Sequence, residues 1–149
     1  MEIMTRKEKE KLSKPMTQEE RELVLKDILP RLPYMTGVYM VYWGTARQIE
    51  VLRTSVISAI LDDNAECRPF LRPMDDMTEE EYKELKSISS YYGFAPYKYV
   101  GDWCPNHELV DWLNAHHFDY RGLIPKGLAI KVNYPYENWE EITLKDLEI

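Results

Sequence analysis

Six consecutive residues, His117-Phe-Asp-Tyr-Arg-Gly122, gather the side chains of this chain best suited to chemistry. Arg121 can hold a carboxylate or a phosphate through two parallel N–H bonds. An unperturbed histidine such as His117 titrates near neutral pH. Asp119 can pair with Arg121. His117, Asp119, Tyr120 and Arg121 are therefore the candidate binding residues, and no residue is assigned as catalytic. A structural role competes with this. Carbonyls at a helix C-terminus need partners, His and Arg supply them there, and Gly122 turns the chain.

Other constellations carry less. Cys104, His107, His116 and His117 are zinc-ligand types, but the spacing is not that of a finger and one Cys is close. His107 and His116 stand nine residues apart on one helix, roughly 13 Å by helical rise. No metal site and no cofactor are expected. Cys104 beside His107 or His117 suggests a nucleophile whose pKa the helix start would lower. No oxyanion hole or third orienting group accompanies it. The aromatic run Tyr91–Trp103 contains one basic residue, Lys98, whereas base-stacking platforms sit in basic grooves. Core or protein-interface packing suits it better. The acidic group Asp75, Asp76, Glu79, Glu80 and Glu81 lacks the EF-hand spacing and central glycine, and helix capping accounts for it. No Walker loop, GxGxxG, HExxH or GxSxG motif occurs.

The elements that must position these residues follow from local pattern. Residues 1–15 read as a charged tail or loose helical turn ending at Pro15. Thr17-Gln-Glu-Glu20 is a capping box, and a helix with Leu23, Ile28 and Leu29 inward follows until Pro30 and Pro33. Gly37–Trp43 is a strand broken by Gly44. Gln48–Leu61 is ambiguous. Its Val, Ile and Thr content favours two strands bent near Thr54-Ser55, with a helix as the alternative. Asp62-Asp63-Asn64 is a turn, and Cys67–Pro73 is extended. Thr78 caps a second helix with Glu81 at the box position. A third starts near Asn106, with Leu109, Trp112, Leu113 and His116 on one face. The acidic C-terminal stretch is anchored by Trp139 and Ile142. The expected fold is one α+β domain over residues 16–149. About three helices pack on a small, mainly antiparallel sheet drawn from Met35–Phe70.

Composition narrows the classes. The chain has 149 residues, 44% hydrophobic, with 11 Tyr and 4 Trp, enough for a packed core. Net charge is −7. The first fourteen residues set five basic against three acidic side chains, so the remainder carries −9. Such a body is repelled by phosphate backbones, and non-specific nucleic-acid binding is not expected. No apolar leader and no membrane-length apolar run are visible. A cytoplasmic location without membrane contact follows, where Cys67 and Cys104 are free thiols.

Two blocks carry a family resemblance: Leu71–Glu81, LRPMDDMTEEE, and Trp112–Ile130, WLNAHHFDYRGLIPKGLAI. They resemble small uncharacterised proteins of gut Bacteroidales bacteria and their phages, and KDILPRLPY (Lys26–Tyr34) is similar as well. Asp75-Asp76 stand where that family has two serines, and Pro125 where it usually has Glu. The resemblance implies a genomic setting and no activity. The expectation is a non-enzymatic adapter that binds an unknown protein partner. The alternatives are a small enzyme or ligand-binding protein using His117, Asp119 and Arg121, and a nucleic-acid-associated module.

Overall fold

The computed structural model describes residues 4–44, 46–90 and 107–148. They form an α+β domain in which both faces of a four-stranded sheet are covered. The aromatic run Tyr91–Trp103 and Cys104 lie outside the described residues.

The local capping signals are realised. In helix α2 (Gln18–Ile28) the Thr17 hydroxyl accepts from the Glu20 N–H at 3.1 Å, and Glu20 accepts from the Thr17 N–H at 2.8 Å. Residues 1–15, expected as a charged tail or loose helical turn, hold a two-turn helix, α1 (Arg6–Ser13), with a capping box from Thr5 and Glu8. Its Leu12 is buried beside Met4. After α2 the chain tightens into a 3-10 helix, Leu29–Tyr34, as two prolines remove backbone donors.

Strand β1 (Gly37–Tyr42) is central. It pairs antiparallel with β2 (Arg47–Val51) and with β3 (Ala65–Leu71). The stretch expected as two strands is half corrected. Arg47–Val51 is a strand, but Thr54–Leu61 is helix α3. Its β-branched run favours a strand by propensity. Burial of Val56 and Ile57 against the α2 side of the sheet overrides that small preference. The turn at Asp62–Asn64 follows, with Asp63 at φ 56°.

A second correction concerns the sheet. Its fourth strand, β4 (Ile130–Lys131), lies far outside Met35–Phe70 and pairs parallel with Phe70 and Leu71. Helix α4 (Glu79–Ser90) and helix α5 (His107–Ala115) pack together around Leu85, Leu109 and Leu113. A 3-10 turn, Tyr136–Glu141, and the short α6 (Leu144–Leu147) close the chain. Six α-helices and three 3-10 helices thus occur among the described residues, more than the three expected.

Alternation along the strands explains the two faces. Val38, Met40, Cys67 and Leu71 point to α2 and α3, whereas Tyr39, Ile49, Val51 and Phe70 point to α1, Trp139 and α6. Trp139 and Ile142 do anchor the C-terminal stretch. Gly37 makes room for the Trp139 ring, since any Cβ there would overlap it. Every residue of β3 is buried, including Glu66 and Arg68. Glu66 accepts the Met16 N–H at 2.7 Å. Arg68 donates to the carbonyls of Gly127 and Lys14 at 3.0 and 2.9 Å, tying the N-terminal segment to the loop before β4.

Candidate functional site

Helix α5 stops because His117 takes a left-handed backbone, φ 63°, where glycine or asparagine is usual. The His117 and Phe118 N–H groups bond back to Asn114 and Leu113. The turn is then stitched to the end of β3. Arg72 N–H donates to the His117 carbonyl and Asp119 N–H to the Arg72 carbonyl, both at 2.8 Å.

The four candidate side chains turn inward. Asp119 is buried, and its two carboxylate oxygens accept the N–H groups of Leu123 and Ile124 at 2.8 and 2.9 Å. Burial pushes its pKa up against the pull of those two donors. Tyr120 is buried with its hydroxyl donating to Asn114 Oδ1 at 2.8 Å. Arg121 is buried with Nε 3.3 Å from Asp27 Oδ1. The half-buried His117 ring stacks on Tyr136 at 3.7 Å, with Nδ1 3.2 Å from the Thr36 hydroxyl. Burial, aided by the Arg31 charge, pushes its pKa down to about 3. Such an imidazole is neutral across the neutral range and a poor proton acceptor there.

Residues that the sequence did not single out complete this core. Arg31 is fully buried and donates to both Asp27 oxygens at 3.1 and 3.2 Å and to the Phe118 carbonyl at 2.7 Å. Burial opposes its charge, but Asp27 together with Tyr120 and Tyr136 outweighs that and its pKa rises. The Arg31 and Arg121 guanidiniums both approach the Tyr120 ring, at 5.1 and 5.4 Å. A charged pair four residues apart inside the apolar stretch Asp27–Leu32 was the available signal.

The second motif block meets the first through Arg72. Its guanidinium donates to both Glu81 oxygens at 2.7 Å and to Asp76 Oδ2 at 3.0 Å, above the Phe118 ring at 4.3 Å. Burial would raise the Glu81 pKa, but Arg72 and the Thr78 N–H hold it at about 2. The acidic group is thereby divided. Asp76 and Glu81 are spent on Arg72, and Glu81 also closes the Thr78 capping box. Asp75, Glu79 and Glu80 remain exposed.

Two open clefts flank the 3-10 turn Met74–Asp76. One, of about 410 Å³, is lined by Met74, Asp75, Met77, Thr78, Glu79 and Tyr82. The other, of about 310 Å³, has Asp119, Gly122, Ile124 and Pro125 opposite Pro73, Met74 and Asp75. Both motif blocks therefore build this surface. Elsewhere Trp43 and Leu61 are exposed, and a cleft of about 390 Å³ lies between α2 and α3.

Among the described residues no group of three His, Cys, Asp or Glu is placed to hold a metal ion, and no helix is long and apolar enough to cross a membrane. His107 and His116 lie at opposite ends of α5, and His116 stacks on Trp112 at 4.0 Å. No family model matches the chain, and no curated protein or solved structure matches it.

Proposed function

We propose that this chain is a non-enzymatic binding protein, an adapter, whose contact surface is the pair of clefts around Met74 and Asp75. The observation that carries this is their construction. Two segments forty residues apart in sequence are joined at Arg72, and their outward sides line two mostly apolar clefts that share Met74 and Asp75 and have an acidic edge. Part-buried apolar side chains opening into clefts on a hydrogen-bonded support are what a docking surface needs. Met74 and Met77 add an adaptable, polarisable floor.

The turn from His117 to Arg121 contributes as a wall and a support. Its polar groups are engaged within the protein, which argues against the enzyme alternative. The body's negative charge argues against a nucleic-acid module. The buried Cys67 thiol suits a reducing cytoplasm. The setting in Bacteroidales or their phages rests on the resemblance of the two blocks.

Site-specific photocrosslinking tests the proposal. A photoreactive residue at Tyr82 should give one discrete protein adduct in a host-like lysate, and the same residue at Leu61 should not. Equal adducts at both positions, or none at Tyr82, would overturn it.

A further inference from the structure

We propose that the two clefts beside the Met74–Asp76 turn take one short cationic segment of a partner protein. An apolar side chain seats on each side of the turn, and a Lys or Arg faces Asp75 and Glu79. This deepens the adapter reading above and rests on it.

The charge pattern selects the partner. Five carboxylates cluster between Asp75 and Glu81, but two are turned inward and share the single charge of Arg72. Asp75 and Glu79 are left facing outward on the cleft edge, and no Lys or Arg lines either cleft among the described residues. The remainder of the body is acidic and reinforces the same field. A neutral segment would bring no compensating charge, and an acidic one would be repelled.

The shape selects the segment. Both clefts share Met74 and Asp75, so the turn is a saddle between two hollows. Each hollow is at the small end of ligand-pocket size and holds one or two apolar side chains. Met77 and Tyr82 floor one, and Ile124 and Pro125 the other. A segment crossing the saddle meets Asp75 between its two apolar anchors. Position fits as well, because Asp75 is exposed in the middle of the 3-10 turn and outside the Arg72 network.

The experiment is a selection of random twelve-residue peptides displayed on phage against the full chain. Enriched peptides are then labelled and measured by fluorescence anisotropy. The expected consensus holds two apolar residues with a Lys or Arg between or beside them. Asp75→Lys should weaken these peptides about tenfold, as expected for reversing a partly screened contact charge, and added salt should do the same. Met77→Asp should abolish binding, with circular dichroism confirming that both variants fold. Enriched peptides lacking basic residues but lost in Met77→Asp would overturn the cationic assignment while leaving the binding reading intact. Peptides unaffected by both substitutions, or no enrichment at all, would overturn the binding reading itself.

Discussion

Removing the Asp27 carboxylate strikes the part of the structure on which the candidate turn depends. Asp27 and Arg31 are both fully buried, and Arg121 joins them 3.3 Å from the same carboxylate. Asp27→Ala leaves the Arg31 guanidinium without its bidentate acceptor and removes a carboxylate beside Arg121. Breaking a buried pair by removing one partner costs about 3–5 kcal/mol. Domains of this size hold about 5–15 kcal/mol in all. At about 2–4 °C per kcal/mol, the melting temperature should fall by roughly 6–20 °C. Urea unfolding followed by tryptophan fluorescence measures the loss. Asp27→Leu combined with Arg31→Met removes the Asp27–Arg31 pair but leaves buried Arg121 without the Asp27 carboxylate, so it should recover part of the loss. The Phe118 carbonyl that loses its Arg31 donor adds a residual cost of about 1–3 kcal/mol. A loss below about 1 kcal/mol for Asp27→Ala would refute the claim that this carboxylate holds two buried cations.

Two further outcomes follow from the same geometry. The folded His117 pKa of about 3 lies below its ordinary value, so between those values the unfolded chain binds the extra proton. Its contribution to stability is therefore complete above pH about 6.5 and is lost as pH falls towards about 3. His117→Asn tolerates the left-handed backbone and should flatten the fall in melting temperature between pH 7 and pH 5, whatever its effect at pH 7. An unchanged slope would assign that fall to other groups. Gly37→Ala drives a methyl group into the Trp139 ring and should cost about 1–3 kcal/mol by urea unfolding.

What the sequence made legible was local. Thr17 with Glu20 and Thr78 with Glu81 announce helix starts because donor and acceptor lie three residues apart. The apolar run from Gly37 reads as a strand for the same kind of reason. Thr54–Leu61 does not read correctly, because its own residues favour a strand and distant packing decides the outcome. β4 is two residues long and exists only through pairing with β3, sixty residues away. The candidate turn was found by residue type, yet its chemistry was not legible. Asp119 looks free until two backbone donors are placed on it, and His117 looks titratable until Tyr136 and burial are known. The buried arginines were hidden most deeply. Arg72 reaches Glu81 and Phe118 from a loop, and Arg31 reaches Phe118 across 87 residues. The split of the acidic group into inward and outward members follows from those contacts alone.

The central claim is that the surface around Met74 and Asp75 is where a partner docks. Titrating isotope-labelled protein with a selected basic–apolar peptide and following backbone amide shifts tests this most directly. The account predicts that the perturbed amides are confined to residues 73–82 and 119–127. A perturbed set centred instead on Trp43, Leu61 and the α2–α3 cleft would contradict it.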